Sequence, residues 1–475
     1  TTQVTGLTTS QVNKLSNSAL EALTTSQLAG MGTSQVSAFA TGQIAVLTNT
    51  QVGALTSTQV QSLSASQFGA MNEDQIAALG TTDVAALTTG QVASLPDNAL
   101  QLLSTAQIQA LSTDQVRALT STQLNALTQD QVAAIQTADL AALSTSQVQS
   151  LSSTQLQSLS STQIGSFGAK QIESLTSSQL NSLEPEDFAT LTSTQVASLT
   201  TTQVSNLSSA MLQNLTTTQM PALTNEQVGA LTTTQIGALA VEQVTALTST
   251  QVKAMGVAQI NAMNADLIGG LGTDDVAAIP VANIASLSTS VVQALTSSQV
   301  LNLTNAQLKA MTVTQLNALE VGDVGSMSTT QVTQLTADQV AGVSTGFLDA
   351  LTTSQFTALS ATQITALGST QVASLAAGKV TALNTAQIRV LAADELNALS
   401  SAQVQAIETA DVAALTSAQV NGLSTSGVAA LTSSQVNALS SVQLQALSSA
   451  QLNALDTAAV AAMGTSQIQA LTTTQ

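Results

Sequence analysis

The sequence predicts an all-α solenoid of short N-capped helices, with one helix for every eight-residue repeat. Three observations predict this fold class: a hydrophobic repeat that never loses phase, a helix-start motif inside each repeat, and a sorting of the few charges along the repeat. The phase runs through the whole chain, so residues 1–475 are predicted to form one uninterrupted array.

The repeat is seen in Leu191–Ser198 and again in the next eight residues, 199–206. We number each octad from its leucine. A large apolar residue occupies position one at residues 7, 15, 23 and every eighth residue to 471, and position six at 4, 12, 20 and on to 468. Position one is usually leucine and position six usually valine, isoleucine or leucine, and other hydrophobic residues stand there in the remaining octads. A fixed short period of this kind is typical of repeat architectures, in which one unit cannot bury its own apolar face.

Each octad carries a helix-start motif. Thr192 at position two can accept a hydrogen bond from the backbone N–H of Gln195, and the glutamine side chain can reach back to the N–H of Thr192. Leu191 and Val196 flank this capping box as a hydrophobic staple does. The motif places a helix start in every octad, with the valine and the following leucine on one face and the glutamine and hydroxyl groups facing elsewhere.

One continuous helix is excluded by the repeat length. Eight residues at roughly 100° each turn the apolar stripe about 80° out of phase in every repeat. The helix must therefore be interrupted once per octad, at the step from the leucine to the next Thr or Ser. We expect helices of about one and a half turns, two to four of them in each superhelical coil.

The charged residues are sorted as helix dipoles would sort them. Acidic residues concentrate at positions two to five, in the predicted first turn, and five of the seven cations lie at positions seven and eight. The exceptions are Glu21, Glu173 and Asp349 among the acids and Lys170 and Lys379 among the cations. A β-strand octad gives no reason for this sorting. A β-solenoid is the alternative fold, because Thr and Val are good strand residues.

Three prolines stand at predicted cap or first-turn positions, and a fourth does not. Pro185 fits the first position of a helix, whereas Pro221 at position seven predicts a local kink. Pro96 and Pro280 replace the cap and should weaken their helices while leaving the phase intact. The most irregular region is 264–294, where position five holds Leu267, Asp275, Asn283 and Val291 instead of glutamine. Sequence drift that the array tolerates, or a specialised contact site, would explain the loss of glutamine there.

The composition argues against most chemistry. The chain has no Cys, His, Trp or Tyr, so Ser-His-Asp or Cys-His catalysis lacks its base and zinc lacks its usual ligands. The adjacent carboxylates of Asp274 and Asp275, and of Asp394 and Glu395, should diverge around a helix rather than form catalytic pairs. We therefore expect no enzyme activity, no catalytic, cofactor or metal residues and no cofactor, although acidic turns leave weak calcium binding open.

The partners expected from the charge are few. A net charge of −19 spread over 475 residues disfavours nucleic acids and anionic membranes, and no apolar stretch is long enough to cross a membrane. The chain begins and ends in phase, without polar caps, which predicts a segment of a longer array or ends covered by other copies. We expect self-association into filaments or continuation of the array.

Two further roles remain open for the polar rows. The glutamines of successive coils could form amide ladders like those of cross-β assemblies, or each could only close its own capping box. The Ser and Thr rows could present a flat hydroxyl face for glycan or ice binding, or could serve only as caps and solvated surface.

The unit Leu-Thr-Thr-x-Gln-Val-x-Ala, as at Leu199–Asn206 in variant form, resembles the octad-repeat regions of very large bacterial surface or secreted proteins, often labelled adhesin-like or haem-utilisation-like. The resemblance implies an extracellular or cell-surface role as a stiff rod, stalk or self-assembling filament. The segment 223–228 is similar to the first helix of the DNA-reading repeats of plant-pathogen effectors, but their longer repeat and base-reading loop are absent here, so DNA binding is not expected.

Overall fold

The computed structural model describes residues 2–475, and side chains from residue 3 onward. Within that range the chain forms 58 α-helices and one 3-10 helix, and it contains no β-strand. The predicted fold class, an α-solenoid with one short helix per octad, is confirmed, and the β-solenoid alternative is wrong. The helices fall into two compact units, the first ending at Ala238 and the second spanning Leu239–Gln475.

The first unit contains helices α1–α29 and the 3-10 helix Met220–Ala222, which follows α27. The helices, in order, are Thr2–Thr5, Thr9–Val12, Asn17–Glu21, Thr25–Ala29, Thr33–Val36, Thr41–Ala45, Asn49–Val52, Ser57–Ser62, Ala65–Phe68, Glu73–Ala77, Thr81–Ala86, Thr89–Ala93, Asp97–Gln101, Thr105–Gln109, Thr113–Ala118, Ser121–Ala126, Gln129–Ala133, Thr137–Ala142, Thr145–Ser150, Ser153–Gln157, Ser161–Gly165, Ala169–Ser174, Ser177–Ser182, Pro185–Ala189, Ser193–Ser198, Thr201–Asn206, Ser209–Leu212, Asn225–Ala230 and Thr233–Gly237.

The second unit contains helices α30–α58. In order they are Val241–Thr245, Ser249–Ala254, Val257–Asn261, Ala265–Gly270, Thr273–Ala278, Val281–Ile284, Thr289–Gln293, Ser297–Leu301, Asn305–Ala310, Val313–Leu316, Val321–Ser326, Thr329–Gln334, Ala337–Gly342, Thr345–Ala350, Thr353–Thr357, Ala361–Thr365, Ser369–Ser374, Ala377–Thr381, Thr385–Ile388, Ala393–Ala398, Ser401–Ala406, Thr409–Ala414, Ser417–Gly422, Thr425–Ala429, Ser433–Ala438, Ser441–Ala446, Ser449–Leu452, Thr457–Ala461 and Thr465–Ala470.

The helices begin at the predicted capping box. In α25 the Thr192 N–H donates to Gln195 Oε1 at 2.6 Å, and the Gln195 N–H donates to Thr192 Oγ1 at 3.3 Å. Thr192 is extended, with φ −69° and ψ 158°. The first helical hydrogen bond runs from the Val196 N–H to the Thr192 carbonyl at 2.9 Å. The same arrangement recurs in most octads, so local side-chain chemistry fixes where each helix starts.

The helices end because two consecutive residues leave the helical region. Leu199 has φ −58° and ψ 137°, and the next cap, Thr200, has φ −72° and ψ 155°. Neither conformation is left-handed, and no residue of the described backbone has positive φ. The turn between octads therefore needs no glycine, which explains how one unit can be repeated with almost any residue at its surface positions.

Within each unit, helices pack against the third helix along the chain, as α22 does on α25 and α23 on α26. Side-chain hydrogen bonds also join residues 28 to 31 apart in sequence, for example from Gln203 to Leu175 and Ile172. One superhelical turn therefore takes between three and four octads, inside the expected range of two to four. Positions one and six form the core, and Val196 and Leu199 are 0% and 3% exposed.

The prolines lie at the helix positions that the pattern predicts. Pro185 is the first residue of α24, and Pro96 and Pro280 occupy cap positions without a side-chain cap bond while the phase continues. Around Pro221 the α-helix is replaced by the 3-10 helix Met220–Ala222. A proline lacks the N–H that an α-helical bond needs, so the tighter 3-10 turn is a physical consequence of its place in the octad.

Position eight is small in most octads because successive coils approach closely there. A Cβ atom on Gly422 would lie 2.7 Å from Cβ of Ala393, and one on Gly342 would lie 2.8 Å from Cγ2 of Val313. Both contacts join position eight of one coil to position three of the coil before it. Among the helices described, none has the length and apolar character that a membrane crossing requires.

We expect Gly422→Ala to destabilise the second unit by about 1–3 kcal/mol, because the added methyl group meets a Cβ atom that no rotamer change can move. Urea unfolding followed by circular dichroism measures the effect. Gly42→Ala is the matched control, since no atom lies within 4 Å of its added Cβ. The double variant with Ala393→Gly should recover stability, and equal midpoints for both single variants would contradict the close approach.

Candidate functional site: the clamp between coils

The most elaborate polar arrangement in the molecule is the glutamine at position five. Gln203 is 4% exposed, and its Oε1 accepts the N–H of Thr200 at 2.7 Å. Its Nε2 donates to three carbonyls of the previous coil: Ile172 at 3.2 Å, Glu173 at 3.1 Å and Leu175 at 2.6 Å. One side chain therefore closes its own helix start and binds the coil beneath it. We call this arrangement the clamp.

The clamp recurs through both units at the same register. Its Nε2 donates to the position-one carbonyl of the previous coil, as Gln203 does to Leu175, and in most octads also to the position-six carbonyl, as Gln203 does to Ile172. The position-six carbonyl lies in the last turn and also accepts the N–H of the position-one residue, as Ile172 does from Leu175 at 3.2 Å, whereas the position-one residue follows the helix as its C-cap. Examples are Gln51, Gln59, Gln91, Gln123, Gln155, Gln171, Gln227, Gln299, Gln307, Gln339, Gln363, Gln419, Gln435 and Gln467.

This finding corrects the prediction that the glutamine faces away from the core. The side chain is buried between coils because its amide carries both an acceptor, used by the cap, and donors that only the previous coil can use. The bonds described for the Nε2 groups of these amides run to backbone carbonyls rather than to other side-chain amides, so the amide-ladder hypothesis is wrong. The capping-box interpretation is confirmed, and it accounts for the bonds of the amide oxygen but not for those of the amide nitrogen.

Aspartate at position five replaces the amide bond with a hydroxyl bond. Oδ1 of Asp83 accepts from Ser57 Oγ at 2.7 Å, and Oδ1 of Asp139 accepts from Thr113 Oγ1 at 2.6 Å, in each case from position three of the previous coil. The shorter carboxylate has no donor for the carbonyls that glutamine binds. The remaining pairs of this kind are Ser161 with Asp187, Ser249 with Asp275 and Ser297 with Asp323.

Two aspartates at position five, Asp323 and Asp411, fit their surroundings less well. Asp323 Oδ2 is buried and has no hydrogen-bond partner in the described structure. Burial, and then the negative charge of Glu408 at the cap of the same helix, raise the pKa of the Asp411 carboxyl above its usual range. A carboxylate at position five is therefore tolerated by the fold but is not equivalent to glutamine.

Lysine at position five uses an ammonium group in place of the amide. Lys379 Nζ donates to the Leu348 carbonyl of the previous coil at 2.6 Å, and it lies 3.5 Å from Asp349 Oδ1. Burial lowers the Lys379 pKa, and the neighbouring Asp349 charge opposes that shift. Both residues were exceptions to the charge sorting. Lys170 and Glu173 are likewise partners, at 2.7 Å on the surface, so four of the five exceptions are ion-paired.

Asparagine at position seven reverses the clamp. Asn397 Oδ1 accepts the cap N–H of Ser424 at 2.6 Å, and Asn397 Nδ2 donates to the Gly422 carbonyl at 2.8 Å. The octad of Ser424 has Gly427 at position five and so no glutamine to bind that N–H. Three more octads show the same exchange, at Asn181 with Met211, Asn261 with Val291 and Asn317 with Phe347.

Sequence reasoning missed this reversed clamp. The signal that could have found it is an asparagine at position seven of one coil beneath an octad of the next coil that lacks glutamine at position five.

The adjacent carboxylates do not converge on a shared site. Asp275 is buried and accepts from the Gly272 N–H at 2.9 Å, whereas Asp274 is exposed. Glu395 Oε2 accepts from the Ala392 N–H at 2.8 Å as a cap bond, and Asp394 is exposed. Among residues 2–475 no group of three or more acidic side chains is placed to hold a metal ion. These carboxylates serve helix starts.

We expect Gln59→Leu to lower the stability of the first unit by about 2 kcal/mol, because the cap N–H of Thr56 and the carbonyl of Met31 lose buried partners at 2.8 Å and 2.7 Å. Gln59→Glu should keep the cap bond but lose the donor, and should regain stability as the carboxyl group protonates at low pH. Urea midpoints measure both variants. The exposed Gln61 provides the control Gln61→Leu, and an equal loss there would contradict the clamp.

We expect Asp411→Asn to stabilise the chain at pH 7 and to lose this advantage by about pH 4. The folded-state pKa of Asp411 is raised, so the charged form is penalised above it. The penalty disappears as pH falls through the folded pKa toward the unfolded value of about 3.9. Urea midpoints of both proteins at the two pH values test this. Glu408→Gln should reduce the difference in urea midpoint between the natural chain and Asp411→Asn at pH 7. A difference in midpoint that does not depend on pH would contradict the prediction.

Comparisons with known proteins give a family and little else. The family model described as the ALTTAQ repeat matches eight segments, at residues 19–49, 48–81, 98–129, 132–169, 180–217, 268–305, 404–441 and 439–473, which together cover more than half of the chain. No curated protein matches the sequence. A solved structure titled "Structure of APUM23-GGAAUUGACGG" is similar over 94% of this chain and 90% of its own, at 13% identity and a TM-score of 0.15. A score that low carries no argument about this chain. Because the matched segments cover more than half of the chain, the chain belongs to the ALTTAQ repeat family.

Proposed function

We propose that the chain is a structural protein of the cell exterior, a stiff rod, stalk or surface filament made of stacked octad coils. The observation that carries the proposal is the clamp, because it joins each coil to the previous one through buried amide bonds at a fixed register. Interactions between neighbouring repeats add along such an array, so its stability comes from stacking and its length follows the number of repeats. The resemblance to octad regions of large bacterial surface proteins supports the location.

The side chains with shifted pKa values support a role without catalysis. Lys379 and Asp411, whose pKa values are shifted, both lie at position five and face neighbouring coils rather than an open cleft. The chain has no histidine or cysteine to act as base or nucleophile. Lys379 uses its ammonium group to bind the previous coil.

We further propose that this polypeptide self-associates through a stacking face. Val460 and Ile468, both at position six, are 44% and 47% exposed, although the same position is almost completely buried along most of the array. An octad coil of a second copy would cover these side chains as coils cover each other elsewhere. Exposed apolar residues on a repeat face are typical of a surface that requires a neighbour.

We expect the 475-residue polypeptide to form fibres whose amount rises with concentration, because each docked copy buries this apolar face. Negative-stain electron microscopy and light scattering measure the association. The double variant Val460→Glu and Ile468→Glu should abolish it, since two carboxylates would be buried at the contact. Val442→Glu is the control, because Val442 is 64% exposed at position four, outside the stacking positions. Unchanged assembly of the double variant would reject this face.

A hydroxyl face for glycan or ice binding is the second candidate, favoured by exposed Ser and Thr at positions three and four. Some of these groups bond to their own cap, as Thr58 Oγ1 does with Thr56 Oγ1 at 3.1 Å. Such pairs leave fewer free hydroxyl groups for a ligand. Binding on a glycan array or measurable thermal hysteresis would favour this candidate over the structural one.

A further inference from the structure

One boundary between coils in the second unit lacks the clamp around a complete superhelical turn. We call it the open seam, between residues 239–263 and residues 264–294. Position five holds Leu267, Asp275, Asn283 and Val291 in four consecutive octads. Every other departure from glutamine in the sequence is isolated between octads that keep it. Since a turn takes between three and four octads, these four positions cover the whole seam.

The missing glutamines leave a row of carbonyls without their usual donor. In the register of the clamp, position five binds a position-one carbonyl of the coil beneath, which here is Leu239, Leu247, Met255 or Met263. Leu267 and Val291 have no donor to offer, and a carboxylate at Asp275 accepts rather than donates. The Asn283 side chain is one methylene shorter than glutamine, and its cap, Pro280, has no N–H to bind. The next seam is intact, with Gln299, Gln307 and Gln315 bound to the coil beneath.

A few polar links of other kinds remain across the open seam. Ser249 Oγ donates to Asp275 Oδ1 at 2.7 Å, and Thr245 Oγ1 donates to the Gly270 carbonyl at 3.0 Å. Asn261 supplies the reversed clamp, with 2.8 Å to the Ser288 N–H and 3.1 Å to the Ser286 carbonyl. These bonds fix the register of the two coils. They do not replace the row of amide donors.

The packing next to the open seam is also incomplete. An apolar cavity of about 20 Å³ lies among side chains from both of its coils and from the coil above, including Ile260, Ile268, Val276, Ile284 and Val292. An apolar void of this size is not a favourable place for water, and the side chains that line it lose dispersion contacts on one side. The fewest amide bonds and an internal void therefore occur in the same region.

We infer that the open seam is a built-in yield point, where the coils of the second unit separate first on heating or under load. The stability of a repeat array is a sum of repeat and interface contributions, so the interface with the fewest bonds opens at the lowest free energy. Opening there would expose apolar core residues such as Ile268 and Val276 while the clamped seams stay closed. This inference rests on the bonds of the fold and holds whether or not the array serves as a rod.

Hydrogen exchange read by mass spectrometry tests the inference. Amides of the helices within 264–294 should exchange at least about tenfold faster than those within 147–171, where four consecutive glutamines are present. The variant Leu267→Gln, Asp275→Gln and Asn283→Gln restores three donors and keeps Val291 with its partner Asn261. It should slow exchange at 264–294 and leave the first unit unchanged. Equal protection of the two segments in the natural chain, or no slowing in the restored variant, would overturn the inference.

A graft in the first unit provides the matched control. Gln147→Leu, Gln155→Asp, Gln163→Asn and Gln171→Val copy the residues of the open seam into a clamped one, and exchange at 147–171 should rise by about tenfold or more. Protection that stays unchanged in a folded graft would contradict the inference. If the grafted chain does not fold, the restored variant decides alone, because its substitutions add bonds.

Discussion

The whole structure depends on the hydrogen bonds of one amide, that of the glutamine at position five. A solenoid of very short helices exposes many backbone groups, because each helix leaves its first N–H groups and last carbonyls without intrahelical partners. In Gln203 the amide oxygen takes a helix-start N–H, and the amide nitrogen takes helix-end carbonyls of the previous coil. The same side chain thus binds backbone groups at the start of one helix and at the end of another, and it sets the register in which the coils stack. In β-solenoids, hydrogen bonds between strands satisfy the backbone groups of successive coils. In this α-solenoid, side chains bind the backbone groups at the helix ends.

The length of the octad follows from the same requirement. A helix of four to six residues supplies one apolar position on its inner face, and two extended residues reverse the chain and supply the other. The reversal at Leu199 and Thr200 uses only ordinary extended conformations. No special residue is needed, so a unit can lose its usual cap, as at Pro96, and the chain still keeps its phase.

The fold could be predicted from the sequence because the interactions that define each helix are local. The capping box joins residues three apart, and the apolar period excludes a continuous helix. The clamp could not be predicted in the same way, because its second half joins residues 28 to 31 apart. That separation is fixed only when the number of octads per turn is known. Without the number of octads per turn, Gln203 is expected at the surface although it is buried. Lys379 likewise looks like an exception to the charge sorting, although it is paired with Asp349.

The substitutions at position five show what the fold requires there. Lys379 keeps the donor to the previous coil, Asp83 exchanges the direction of the bond with Ser57, and Asn397 supplies acceptor and donor from the coil beneath. Each replacement satisfies part of what glutamine satisfies, and each remains isolated between intact neighbours. The requirement is therefore a sufficient number of satisfied backbone groups per coil, not one residue type. Residues 264–294 are different because the losses are consecutive, so no neighbouring clamp in the same turn compensates for them.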